Sequence, residues 1–284
     1  MPNLYKIVTR TGIESEKLSK AELASIAYHD IFDFPLTFSE LIRWTLGKYD
    51  NNVSSGNLKF LNGFYFLNGR EGIIFKRALR KRVSERKIKI AQKAANVLRR
   101  LPFVKMVAVT GSLAMQNASD TSDIDLMVVA RTGLLWTTRL FSYVLLKLTN
   151  IPTRKFGDKD EKDKLCLNIW LDEGALGWKN KNVYTAHEIA QIVPLVNKNK
   201  TYEKFLFQNR WILNFWPNAV KIKKIDNLAK LDHEGAGLIE KIAFWAQRKY
   251  MSPKITRETI TPKRALFHPQ DWGKVVLDRL KFGL

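Results

Sequence analysis

The chain has 284 residues, 45% of them hydrophobic and 26% charged. That is the composition of a folded protein with one large or two to three small domains, and it excludes disordered, collagen-like and fibrous classes. The formal charge of +21 is uneven: residues 51–100 carry 13 basic and 2 acidic side chains and residues 201–284 carry 16 and 8, around a nearly neutral middle. Such a field favours polyanions, RNA first.

Cys166 is a lone cysteine, so no internal disulfide is expected. The first twenty residues have no signal-like apolar stretch. The most apolar helix-length run, Gly133 to Leu148, is interrupted by Arg139 and Lys147 and is shorter than the ~20 residues that span a bilayer. A cytoplasmic protein without a membrane partner is the expectation.

In chain order, Ser19 is placed to cap a helix over AELASIAYHDIF, and Thr37 to cap a second over FSELIRWTLG, with Asp30, Asp33 and Pro35 in the turn between. A third short helix is expected near Leu58–Leu61. A hairpin of Gly63–Leu67 and Gly72–Phe75 around Asn68-Gly69 should follow. Three short helices plus a hairpin resemble a winged helix-turn-helix domain, a fold that often reads nucleic acid. Lys76 to Arg100 then carries 11 Lys/Arg and only Glu85, with Ile88, Ala91, Ala95 and Leu98 at helical spacing. This predicts an amphipathic helix whose basic outer face is free to track phosphates or simply to be solvated.

Pro102 ends that helix, and Val104–Thr110 has the β-branched apolar character of a buried strand. Gly111-Ser112 follows directly. Ten residues later Asp123-Ile124-Asp125 opens a second apolar strand ending at Ala130. Period-two alternation puts both aspartates on one face with Ile124 in the core. Two adjacent carboxylates call for cations, and hard Mg²⁺ shared with substrate phosphates suits them. The Gly-Ser step lets backbone N–H groups and the Ser112 hydroxyl approach a triphosphate.

A strand, Gly-Ser, about ten residues and Asp-x-Asp between apolar residues resembles the signature of the DNA polymerase beta nucleotidyltransferase superfamily, over about residues 84–175. The resemblance implies that Gly111 and Ser112 hold an NTP and that Asp123 and Asp125 ligate two Mg²⁺ ions during transfer of a nucleoside monophosphate. It also implies a third carboxylate on a later strand. The candidate strand, Lys164–Asp172, presents Cys166, Asn168, Trp170 and Asp172 on one face. Asn168 stands where the acid is expected, and Asp172 is the alternative in another register.

Thr132–Leu148 reads as a crossover helix and 151–163 as a charged loop, whose Arg154 and Lys155, with Arg139, are candidate phosphate contacts or structural cations. After residue 180 the periodicity predicts helices in TAHEIAQIVPLV, TYEKFLFQNRWILNFW and EGAGLIEKIAFWAQRKY. His187-Glu188 lacks the second histidine of a zinc helix. The four histidines, including His29, His233 and His268, read as structural, and Trp211, Trp216, Trp245 and Tyr250 as core or base-stacking aromatics.

The reading is therefore α+β: a winged-helix-like domain over 1–83, a mixed-sheet nucleotidyltransferase fold over 84–180 and an all-helical domain over 181–284. The function expected is metal-dependent transfer of a nucleoside monophosphate from an NTP, first of all ATP, to an acceptor hydroxyl on RNA, or on a small molecule or protein. The alternative is a non-catalytic nucleic-acid-binding or regulatory protein with a degenerate site.

Overall fold

The computed structural model describes residues 18–47, 58–155, 157–224, 237–254, 258–267 and 272–281. Helix α1 (Lys20–Asp30) and helix α2 (Phe38–Arg43) begin at the caps anticipated, Ser19 and Thr37, each in a capping box that adds Glu22 and Glu40 and satisfies otherwise orphaned backbone donors. Between them the short β1 (Leu36–Thr37) joins β2 (Leu58–Leu61) and β3 (Phe64–Leu67) in a three-stranded sheet of order β1-β3-β2.

Two expectations are corrected here. Leu58–Leu61 is a strand, and the hairpin turns at Asn62-Gly63, where both residues have positive φ (51° and 82°), as a tight two-residue turn requires. Gly72–Phe75 is instead the first turn of helix α3 (Gly72–Leu98). Phe75 is exposed beside the buried Ile73, a helical pattern, and the second Asn-Gly only delivers the chain into that helix. Helix α3 runs unbroken across position 83.

The central sheet has six strands in the order β7-β4-β5-β6-β9-β8. They are β4 (Val104–Val109), β5 (Ile124–Ala130), β6 (Leu165–Asp172), β7 (Val193–Asn197), β8 (Thr259–Thr261) and β9 (Arg264–Leu266). Only β5 and β6 are parallel, joined by helix α5 (Leu135–Leu148), so the sheet is mixed. Alternation along β4 and β5 divides the apolar residues between two cores. Val107, Val109, Leu126 and Val128 pack under α3, α5 and helix α8 (Leu238–Met251). Met106, Ala108, Met127 and Val129 pack under α1, α6 (Val183–Ala190), α7 (Thr201–Gln208) and α9 (Trp272–Lys281).

The part of the chain beyond 181 is thus not all-helical. Residues Ile192-Val193 leave the helix and Val193–Asn197 pairs with β4, while β9 pairs with β6 and closes the other edge with β8. β-Branched residues around Pro194 end a helix and suit an edge strand better than a helix interior. Among the described residues no helix is long and apolar enough to cross a membrane.

The basic helix α3 does not present a uniform outer face. Arg77 pairs with Glu40 and stacks over Phe34, Lys76 pairs with Asp33, and Arg80 donates to the carbonyl of Phe32 and to Asn117. Farther along, Arg86 pairs with Asp120 and Asp163, and the fully buried Lys87 reaches Asp163 at 2.8 Å and the Ser122 carbonyl at 2.6 Å. These cations clamp the N-terminal unit and the segment leading to Asp123 onto one helix. Lys81, Arg82, Lys89 and Lys93 are exposed.

Candidate active site

At the end of β4 the chain turns sharply at Gly111, whose φ of +59° is a left-handed conformation. A Cβ there would lie 2.7 Å from Asp125 Oδ2, so the close approach of turn and carboxylate requires glycine. Ser112 is exposed in the first turn of the four-residue helix α4 (Gly111–Ala114). Asp123 precedes β5 and Asp125 is its second residue. Ile124 between them is fully buried, as the alternation predicts. Asp123, Asp125 and Cys166 each offer a ligand atom, and these atoms lie within 4.8 Å of one another.

Burial, followed by the charge of Asp123, pushes the Asp125 carboxyl well above the usual carboxylate range, while the Cys166 thiol hydrogen-bonds to it. Burial and the two aspartates also push the Cys166 thiol far up, so without a bound cation it stays protonated at neutral pH. The two carboxylates offer oxygen donors, which suit a hard divalent cation.

Asn168 lies at the site, as the sequence anticipates. Its Nδ2 donates to Asp125 Oδ1 at 2.6 Å, and its buried Oδ1 has no hydrogen-bond partner. A buried amide oxygen without a partner, on an amide bonded to Asp125, is what a metal ligand would leave.

Asp172 is excluded from the cluster. The pairing of β6 with β5 slips between Asp125 and Met127, so that β6 carries an extra residue near Asn168. Beyond this bulge Ile169 and Leu171 join the core on the site face and Trp170 the opposite core. The expected common face of Cys166, Asn168, Trp170 and Asp172 is therefore broken. Asp172 instead accepts the backbone N–H groups of Gly133 and Gly174, both at 2.7 Å.

Among the loop cations, Arg154 reaches Asp123 Oδ2 at 2.8 Å and also pairs with Glu161. Arg139 is buried against Gln247, Trp136, Tyr143 and Phe267, a structural role, and Lys155 does not line the site.

The cluster opens into a cavity of about 550 Å³. Its lining also includes aromatic residues, Phe32 and Phe34 from the N-terminal unit, Tyr184 from α6, Phe267 and Trp272. Glu188 of α6 also lines it, and this residue has no counterpart in the sequence reading beyond the rejected zinc motif. Burial, then the charge of Asp125, pushes its carboxyl up to about 8. Gln191 donates to Glu188 at 2.6 Å and to the Gly111 carbonyl at 3.4 Å, tying the two sides together. The sequence offered only Pro194 as a break in the helical pattern; that the last turn of α6 lies against Gly111 follows from the pairing of β7 with β4.

His29 and His187, which also line the cavity, meet through their Nε2 atoms at 3.2 Å among the rings of Tyr28, Trp44 and Trp216. Burial lowers both, His29 to about 4, so the pair is neutral at pH 7. His233 and His268 lie outside the described residues. Trp216 is core, Trp211 is partly buried, and Trp245 is exposed away from the cavity.

No protein-family model matches the chain, and no curated protein matches it in sequence.

Proposed function

We propose that the chain is a metal-dependent nucleotidyltransferase acting on an NTP and an acceptor hydroxyl. The observation that carries this reading is that Asp123, Asp125 and Asn168, whose Oδ1 has no partner, line one cavity together with the Gly111 turn. Asp123 and Asp125, with Asn168 Oδ1 as a neutral third donor, would hold Mg²⁺. Bound there, Mg²⁺ would neutralise the triphosphate and stabilise charge on the transferring phosphoryl group.

The chain's own groups complete the site. Gly111 and Ser112 leave the backbone and a hydroxyl open to phosphate oxygens, and Arg154 is within reach of the same charge. An acceptor oxygen attacking the α-phosphorus forms one P–O bond as the α–β bridging P–O bond breaks and pyrophosphate leaves. The acceptor proton would pass to the ionised form of Glu188, a fraction that grows as pH rises toward about 8. Aromatic side chains of the cavity, Phe32, Phe34 and Tyr184 among them, offer flat faces against which a nucleobase or an apolar acceptor could pack. With half of the α3 cations already paired, an extended RNA duplex finds little support, and a small molecule or an RNA terminus is favoured.

The amide on Asp125 favours a second reading, a nucleotide-binding protein without transfer. Incubation with each labelled NTP, Mg²⁺, total RNA and a small-metabolite extract tests both. Label in an acceptor, lost in Asp123→Ala and Asp125→Ala, supports transfer. A melting shift with Mg²⁺·NTP and no labelled product supports the second reading. Neither signal would overturn both.

A further inference from the structure

Helices α5 and α8 pack against each other on one face of the central sheet, with α8 held by Glu240, which accepts the backbone N–H groups of Trp136 and Thr137 at 2.6 and 2.8 Å. Their outward sides are apolar. On α5, Leu140, Phe141, Val144 and Leu148 are 46 to 75% exposed. On α8, Leu238, Ile239, Ile242 and Trp245 are 58 to 74% exposed. Single exposed apolar residues are ordinary, but eight large ones on two adjoining helices mark a surface that is covered in use.

The two helices and their flanking residues expose cations and no carboxylate. Residues 131–155 contain no carboxylate, and the only one in 237–254 is Glu240, which is buried. Lys147, Lys241, Arg248 and Lys249 are all exposed, and the Lys249 ammonium sits 5.2 Å from the Trp245 ring centroid. A second copy of the chain would bring two positive faces together. An indole among aliphatic side chains with an ammonium on its face matches instead the boundary between acyl chains and anionic headgroups, where the ring lies at the interface and the cation reaches phosphate.

We infer that the outer face of α5 and α8 seats this protein on an anionic lipid bilayer, a peripheral contact that spans nothing and is independent of the transferase reading. The apolar side chains enter the interface, and the four cations supply attraction that salt screens.

The test is flotation of the full chain with vesicles of phosphatidylcholine alone and with 30% phosphatidylglycerol, at low and at high salt. Binding is expected only to the anionic vesicles, with at least a tenfold loss in Lys241→Glu/Arg248→Glu/Lys249→Glu and a similar loss in Ile239→Ser/Ile242→Ser. Lys179→Glu/Lys181→Glu/Lys223→Glu, on the opposite side of the sheet, should bind nearly as wild type, and all variants should melt within a few degrees of it. Brominated lipid should quench a tryptophan signal that is absent in Trp245→Phe.

Equal losses in both charge triples with no effect of the apolar variant would overturn the proposal in favour of nonspecific adsorption of a basic protein. A solution dimer that the apolar variant dissociates would assign the face to a second copy. Absence of vesicle binding by a monomer would leave it to a protein partner and equally overturn the proposal.

Discussion

Gly111 and Asp125 share a space that only a hydrogen can occupy: a methyl at residue 111 would lie 2.7 Å from the Asp125 carboxylate, on a backbone already at φ +59°. Gly111→Ala therefore incurs a left-handed penalty of about 1 kcal/mol and must also displace the carboxylate. A lower melting temperature and loss of the Mg²⁺·NTP-dependent shift are expected together. Ser112→Ala, at an exposed position, should leave the melting temperature unchanged and weaken only the nucleotide-dependent shift. Differential scanning fluorimetry on the two variants checks both.

Asn168→Asp would replace a 2.6 Å amide-to-carboxylate hydrogen bond with two facing acids. Without divalent cation the variant should melt below wild type at pH 8, through like-charge repulsion in a partly buried site. With saturating Mg²⁺ the order should reverse. If transfer occurs, single-turnover kinetics should show a faster chemical step, because a carboxylate holds the metal more strongly than an amide. Asp172→Ala should leave that step unchanged, since Asp172 binds Gly133 and Gly174 rather than the cluster.

Glu188 gives the site a pH signature. Its proton affinity is raised on folding, from an ordinary value near 4.5 to about 8. The folded state therefore holds the proton more tightly, and this stability is fully present below the unfolded pKa and lost as pH rises through about 8. Asp125 contributes in the same direction. Glu188→Gln should flatten the decline between about pH 5 and 8 and, above pH 8, melt higher than wild type by an equivalent of about 1–3 kcal/mol. If Glu188 is the base, the same variant loses transfer at every pH, with nucleotide binding retained. Melting and rate profiles across pH separate the two effects.

Lys87, fully buried on Asp163 and the Ser122 carbonyl, holds the segment that leads into Asp123. Lys87→Met leaves those acceptors short of a partner and should lower stability by about 2–4 kcal/mol. Arg86→Ala, which removes a more exposed partner of the same Asp163, should cost about 1 kcal/mol or less. Chemical denaturation of both variants measures the difference.

The sequence alone determined what depends on neighbours along the chain. Ser19 and Thr37 cap their helices because a capping box closes within four residues. Asp123 and Asp125 share a face because strand side chains alternate, and Gly111 follows its strand because only glycine turns there without strain. What failed depended on pairing across the fold. The choice between two Asn-Gly turns was made by which segments found partner strands, so Leu58–Leu61 became β2 and Gly72–Phe75 joined α3. One extra residue in β6, invisible without its partner β5, turned Asp172 away from the cluster and left Asn168 on it. Val193–Asn197 left its helix to pair with β4, and only that long-range pairing carried Glu188 into a cavity closed by Phe32 and Phe34. The basic stretch of α3 followed the same division. Its amphipathic period was legible in the chain, but which cations would be spent on internal carboxylates was decided by where folding placed Asp33, Glu40 and Asp163, since ion pairing depends on distance in space and not on separation in sequence.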